Sequence, residues 1–154
     1  MSIHKLLNLA SFQSLWRGYE YHQDKAVLQS EWISDYEIFG SVKGSNNTVY
    51  EVCINLNHPK KSTCNCPHAT GRQVLCKHKI ALFFSEFPEY AEQYYDNIIL
   101  AEEEAEEQAI ELENKVIHYV HKLKKAELAE LLLQMLFEGP EWQYERFIRE
   151  HIEY

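Results

Sequence analysis

The feature that most constrains this chain is a cluster of three cysteines and one histidine in the middle of the sequence. The spacing is Cys64-x-Cys66, then nine residues, then Cys76-x-His78. A disulfide between Cys64 and Cys66 would close a very tight ring, which disulfide geometry disfavours. Three thiolates and one imidazole instead satisfy the tetrahedral coordination of a structural zinc ion. The spacing therefore predicts one zinc ion on Cys64, Cys66, Cys76 and His78.

Two alternatives to this ligand set remain open from the residues alone. His68 lies two residues after Cys66 and could replace His78 as the nitrogen ligand. The cysteines could also be small unligated core residues, although a cluster that ends in a histidine is hard to obtain from packing needs alone. The fourth cysteine, Cys53, falls on a predicted strand and is interpreted as a core residue.

Charge is distributed unevenly along the chain and isolates the cysteine cluster as a basic island. Residues 52–85 hold five basic and no acidic residues, whereas residues 86–154 hold six basic and 18 acidic residues, a net of −12. A basic patch can neutralise nucleic-acid phosphates. Its lysines can equally well neutralise a thiolate site. The candidate nucleic-acid contacts are Lys60, Lys61, Arg72, Lys77 and Lys79.

The apolar pattern changes its period along the first half of the chain. Residues 3–23 have helical spacing in two pieces that separate near Ser11. Three short segments rich in β-branched and aromatic residues follow, bounded by turn-forming clusters, and they predict an antiparallel meander. The expected strands are residues 26–33, 36–42 and 48–56.

The rest of the chain is predicted to be helical. An apolar helix within residues 74–87 should pack back on the sheet, and long acidic helices should follow from Glu89. Gly139 suits a helix C-cap and Pro140 the start of a last helix. The expected class is α+β: an N-terminal helix, a three-stranded antiparallel sheet with a zinc finger and following helix, then an acidic helical region. The predicted domains are residues 1–88 and an acidic tail or small helical bundle at 89–154.

Two short segments around the cysteines resemble the SWIM-type zinc finger. They are CNCP at 64–67 and CKHKIALFF at 76–84, and the lead-in RGYEYHQDKAV at 17–27 is similar to bacterial SWIM proteins. The similarity extends over about residues 13–88. The resemblance implies a strand–finger–helix unit with zinc on the four predicted ligands. It also implies binding to DNA or protein, because such fingers accompany helicase-like ATPases and transposases.

These observations lead to a ranked set of functional hypotheses. The first is a non-catalytic, DNA-binding accessory protein. No GxxxxGK[ST] phosphate-binding loop is present in this sequence, so such a protein would act beside a helicase-like ATPase rather than as one. The alternative is a protein-interaction adaptor with a purely structural zinc and with Trp142, Tyr144 and Phe147 as its docking surface. In either role the acidic tail could mimic nucleic acid or act as a brake on the finger.

Catalysis and membrane insertion are disfavoured by the sequence. Four good ligands leave no open position for a zinc-bound water, and residues 52–85 contain no carboxylate. No apolar run approaches the roughly 20 residues that a membrane helix needs. The N-terminus lacks the basic lead and cleavage site of a secretory signal. A cytoplasmic protein is expected.

Overall fold

The computed structural model describes residues 4–152. Ile3, where the predicted helical region begins, and the extreme ends of the two predicted domains lie outside the described residues. The helices are α1 (His4–Asn8), α2 (Phe12–Gln23), α3 (Lys77–Glu86), α4 (Pro88–Lys122), α5 (Lys125–Glu138) and α6 (Glu141–His151). The strands are β1 (Val27–Ser34), β2 (Glu37–Lys43), β3 (Val49–Asn55) and β4 (Thr63–Cys64). A short 3₁₀ helix, Pro59–Lys61, connects β3 to β4. The α+β class is therefore confirmed.

The sheet has four antiparallel strands in the order β1-β2-β3-β4, so the expectation of three strands was wrong. The fourth strand is only two residues long, and it pairs Thr63 with Cys53 and Cys64 with Val52. Two residues cannot display the alternation that identifies a strand in a sequence. The extra strand matters because it fixes the first predicted ligand to the edge of the sheet.

The N-terminal helices form in two pieces, as the sequence predicts. Ser11 is the N-cap of α2, and its hydroxyl accepts a hydrogen bond from the backbone N–H of Ser14 at 3.2 Å. Gly18 lies where α2 crosses α3, since a Cβ on Gly18 would come within 2.4 Å of the Cβ of Ile80. Only a glycine permits this close approach of the two helices.

Helix α3 packs on one face of the sheet and forms the centre of the core. Gly40 on β2 lies directly beneath it, because a Cβ there would come within 2.6 Å of Leu82 Cδ1. The buried core side chains come from α1, the strands, the cysteine segment, α3 and the start of α4. They include Leu6, Ile38, Val42, Val52, Ile54, Leu75, Ile80, Leu82, Phe83, Phe84 and Ala91.

The chain divides into two compact units, Met1–Ile98 and Ile99–Tyr154, and the boundary falls within α4. We call them unit 1 and unit 2. The sequence placed its boundary at residue 88, where α4 begins. In the described part of unit 2, residues 99–152, Leu136 is the one buried side chain.

Unit 2 has the predicted helices but leaves their apolar stripes on the surface. Gly139 is the C-cap of α5 and Pro140 the N-cap of α6, as expected. The apolar stripe on α4, which contains Leu112 and Val116 one helical turn apart, is exposed, at 63% and 54% for these two side chains. Trp142 on α6 is 62% exposed. Among the described residues, no helix has the length and apolar character to cross a membrane.

Candidate metal centre

The four predicted ligands come from both sides of the cysteine loop and meet in one place. Cys64 ends β4, Cys66 follows two residues later, Cys76 is the N-cap residue of α3, and His78 lies in the first turn of that helix. All four side chains are buried, and one ligand atom from each lies within 4.8 Å of every other. Such a group of three sulfurs and one nitrogen has the donor chemistry of a structural zinc site.

A series of turns brings the two halves of the cluster together. The carbonyl oxygen of Cys66 accepts hydrogen bonds from the backbone N–H groups of Ala69 at 3.0 Å and Thr70 at 2.9 Å. The Thr70 hydroxyl donates to the same oxygen at 2.9 Å. Gly71 then adopts a φ of 71°, a left-handed conformation that favours glycine. The loop therefore reverses direction between Cys66 and Cys76 by local hydrogen bonding, with Gly71 in the left-handed conformation.

The imidazole of His78 is held between the sulfurs and two tyrosine rings. Its Nδ1 lies 3.8 Å from Cys64 Sγ. The ring centroid lies 4.6 Å from that of Tyr50 and 5.5 Å from that of Tyr21. Within residues 4–152, His78 Nε2 is buried and has no hydrogen-bond partner. Nδ1 is therefore the nitrogen placed to coordinate a metal together with Cys64, and the buried Nε2 is left without a partner, which is costly.

The thiols of Cys64 and Cys76 each shift the pKa of the other. The hydrogen bond from Cys64 lowers the pKa of Cys76 to about 3, with a further contribution from hydrogen bonding to His78 and with burial acting in the opposite direction. The same hydrogen bond, together with burial, raises the pKa of Cys64. Of the two thiols, Cys76 is thus the one that loses its proton more readily. Thiolates are the form in which cysteine binds a metal.

The comparison with known families identifies this segment. Residues 50–86 match the SWIM zinc finger family, from β3 through the cysteine loop to the end of α3. This segment is similar to the SWIM zinc finger, and residues 50–86 are called the SWIM finger below. The match confirms the resemblance seen in the sequence over these 37 residues, while the wider similarity over residues 13–88 remains a prediction. No curated protein and no solved structure matches the chain.

The structure gives Lys79 of the SWIM finger a role different from the one predicted. It was expected to contact nucleic acid, but it is only 1% exposed. Its Nζ donates to the carbonyl oxygens of Ser62 at 2.7 Å and Val74 at 2.8 Å. Burial lowers the pKa of Lys79, and the nearby sulfurs of Cys76, Cys64 and Cys66 raise it. The Lys79 ammonium is therefore an internal cation beside the metal centre, and the expectation that it faces solvent was wrong.

The other predicted contacts of the SWIM finger differ in accessibility. Lys77 is half-buried, and its Nζ donates to Tyr21 Oη and lies 4.2 Å from the centroid of that ring. Lys60, Lys61 and Arg72 are exposed and line a single open groove of about 640 Å³. Three of the five predicted cations are therefore grouped on one accessible surface.

His68, the alternative nitrogen ligand, does not join the four-residue cluster. Its side chain is exposed, whereas all four clustered residues are buried. It follows Pro67 at the start of the loop turns, where the chain runs over the surface. Among the described residues, His78 is thus the histidine that faces the three sulfurs.

Several residues that shape the SWIM finger were not identified from the sequence. Asn55 and Ser62 are buried polar residues that brace the connection from β3 to β4, since the Asn55 N–H donates to Ser62 Oγ at 3.0 Å. Tyr21 and Tyr50 contact the His78 ring. One signal was available for the buried lysine: Lys79 lies inside the apolar run of α3, next to Ile80, where few positions face solvent.

Proposed function

We propose that this chain is a non-catalytic, zinc-binding SWIM-type finger module in which a single structural zinc ion is held by Cys64, Cys66, Cys76 and His78. The observation that supports this most strongly is the approach of the four ligand atoms to within 4.8 Å of one another, in a segment that matches the SWIM zinc finger family. Three thiolates and one imidazole complete a tetrahedral shell, so no open position is left for a reacting water.

In this proposal the zinc ion links the edge of the sheet to the central helix. Cys64 is paired to β3 through the backbone, and Cys76 and His78 belong to the N-terminal end of α3. The buried Lys79 ammonium offsets the net negative charge that three thiolates and a divalent ion would carry. Reduced thiols and bound metal fit a reducing compartment, which supports a cytoplasmic location.

We further propose that the finger binds DNA through the groove lined by Lys60, Lys61 and Arg72. Their side chains are exposed and approach one concave surface, and in the part of the chain that the structure describes the groove contains one carboxylate, Glu51. A cationic groove attracts phosphates and releases their counterions, so its affinity should fall steeply with salt. Lys77 is a peripheral contact at most, since its ammonium is already engaged by Tyr21.

The test combines metal analysis with DNA binding of the untagged, full-length protein. One equivalent of zinc is expected, and binding of labelled DNA should weaken as salt rises from 50 to 200 mM. The triple variant K60Q/K61Q/R72Q should reduce binding to duplex and single-stranded DNA and flatten the salt dependence. The control K5Q/K25Q/K122Q makes the same change in net charge at exposed positions outside the groove. Equal loss in both triple variants, or no DNA binding by the parent, would contradict the proposal.

A second candidate function is a protein-interaction adaptor, for which a helicase-like ATPase is the partner suggested by the resemblance. The specific observation in its favour is the exposed apolar stripe of α4, where Leu112 and Val116 lie on the surface at 63% and 54% exposure. Exposed apolar patches are typical of interaction sites. Replacing both residues with glutamate should abolish association with such a partner and leave the zinc content unchanged.

A further inference from the structure

One face of the sheet in unit 1 is open, and an aromatic side chain lies on it. Ile38 and Val42 on β2 are fully buried, and Gly40 between them contacts α3. Side chains alternate along a strand, so Phe39 points to the opposite face. Phe39 is 39% exposed there. It pairs across the sheet with Glu31 on β1 and Cys53 on β3, and Thr63 on β4 continues the same row.

This aromatic ring and the exposed cations of the finger line the same groove. Phe39 is one of its lining residues, Lys60 and Lys61 come from the 3₁₀ helix, and Arg72 follows the positive-φ glycine of the cysteine loop. Three cations and the carboxylate of Glu51 give the lining residues a formal net charge of +2. The groove, which has a volume of about 640 Å³, therefore offers both an aromatic ring and positive charge to a ligand.

We propose that this groove binds single-stranded nucleic acid, with an unpaired base stacked on Phe39 and the adjacent phosphates on Lys60, Lys61 and Arg72. Proteins that bind single strands combine a positive groove with aromatic side chains on which bases stack. A duplex offers its phosphates to the cations, but its base faces are already stacked on one another and cannot cover Phe39. The proposal rests on the proposed nucleic-acid function and specifies its strand form.

The three cations and the single aromatic ring of the groove determine the salt dependence and the base preference expected of the complex. With three cations, the slope of log affinity against log salt should be about −2 for a single strand, since each neutralised phosphate contributes about 0.7. Stacking on a phenylalanine does not discriminate strongly among bases, because every base has a π-face. Binding is therefore expected to be short in footprint, salt-sensitive and tolerant of sequence.

The experiment compares the zinc-loaded full-length protein and its variants by fluorescence anisotropy on a 15-nucleotide oligo(dT), the same length of oligo(U) and a 15-base-pair duplex. Phe39→Ala should weaken single-strand binding about tenfold and leave duplex binding unchanged, whereas Phe39→Trp should retain it. Phe12→Ala is the matched control, because Phe12 is 69% exposed on α2 and does not line the groove. Tighter binding of oligo(U) or of oligo(dT) would identify RNA or DNA as the strand, and both support the proposal.

A cross-linking measurement tests the contact directly and does not depend on the stability of the variants. Irradiation of the parent protein with an oligonucleotide that carries 5-iodouracil should join the base to the peptide that contains Phe39. Cross-links found only on peptides of unit 2, such as the one with Trp142, would overturn the proposal.

The outcomes also separate this inference from the proposed function. If Phe39→Ala, with normal zinc content and thermal stability, binds single strands as the parent does, the stacking proposal is wrong. DNA binding through the cations would still stand if K60Q/K61Q/R72Q loses duplex affinity. Absence of binding to all three probes would overturn both.

Discussion

Unit 1 and unit 2 contain similar kinds of apolar side chain but bury them to different extents. Ile54 on β3 and Ile80 on α3 are fully buried in unit 1, whereas Ile110 and Leu112 on α4 are 53% and 63% exposed in unit 2. Unit 1 therefore has a core assembled from residues far apart in the sequence. The described helices of unit 2 present their apolar stripes to the surface.

The difference shows that the two units are stabilised by interactions of different range. In unit 1, the sheet, α3 and the four metal-ligand residues depend on one another. In unit 2 the described polar contacts are local, such as the ion pair of Glu111 with Lys115 at 2.6 Å, one helical turn apart. Such exposed pairs contribute only about 0.2–0.5 kcal/mol each. Perturbations of the core or of the metal should therefore affect unit 1 and leave the helices of unit 2 in place.

The largest effect is expected from loss of the metal. Cys76→Ser, or a strong chelator, should remove the zinc and unfold the sheet and α3 at room temperature, because structural zinc contributes on the order of 10 kcal/mol in small zinc domains. Near-UV circular dichroism should lose its aromatic signal, while much of the helical signal from unit 2 remains.

Cys53→Ser is the matched control for this prediction. Cys53 is a half-buried cysteine outside the four-residue cluster, so its variant should keep one equivalent of zinc. Retention of stoichiometric zinc by Cys76→Ser, or an equal loss in both variants, would contradict the ligand assignment.

The next largest effect should distinguish the two units by one matched substitution. Ile54→Ala in unit 1 should lower the free energy of unfolding by about 2–5 kcal/mol, because it opens a cavity at a fully buried site. Ile110→Ala in unit 2 should change it by less than about 0.5 kcal/mol. Urea unfolding measures both when it is carried out in a Trp142→Phe background, where the fluorescence of Trp16 and Trp32 reports on unit 1 and helical circular dichroism on the whole chain. A large loss in Ile110→Ala would mean that a partner, such as a second copy, covers this face.

The metal centre was predictable from the sequence because its ligand residues lie close to one another along the chain. Cys64 and Cys66, and then Cys76 and His78, are each two residues apart, and the loop between them carries a glycine that turns the chain. The spacing alone therefore selected four residues that the fold brings together. The three longer strands were likewise evident from alternation and flanking turns.

What the sequence could not reveal depends on contacts between distant elements. Lys79 is one of five cations in a basic segment, and only the packing of α3 against the β3–β4 connection places it inside. Replacing Lys79 with glutamate would therefore test folding rather than DNA binding. Similarly, helical periodicity identifies the stripe containing Leu112 but cannot indicate whether anything covers it.

A smaller effect is expected from the buried lysine. Lys79→Met should lower the free energy of unfolding by about 1–3 kcal/mol, because the carbonyl oxygens of Ser62 and Val74 lose their hydrogen-bond donor. It should also release zinc to a competing chelator at lower chelator concentration, since the cation beside the sulfurs is removed. Lys60→Met, at an exposed position, should change stability by less than about 0.5 kcal/mol. Equal behaviour of the two variants would show that the position of Lys79 is not important for the centre.

The smallest effect concerns His22, which links α2 to α3 within unit 1. The ring packs against Phe84, and its Nδ1 lies 3.3 Å from Ser85 Oγ. Burial lowers the pKa of His22 below its usual value of 6.5. The unfolded chain therefore binds the proton more readily than the folded one. The stability that comes from a neutral His22 is complete above about pH 6.5 and is lost as the pH falls through the lower, folded-state pKa.

His22→Gln should reduce this pH dependence, because glutamine keeps a polar side chain but does not titrate. Between pH 7.5 and pH 5.5, urea unfolding should show that the parent loses slightly more stability than the variant, with zinc content measured at each pH so that metal release is not mistaken for protonation of His22. His118→Gln, at an exposed position on α4, should lose as much as the parent. If His22→Gln and the parent lose equal stability, protonation of His22 does not oppose the packing of α2 on α3.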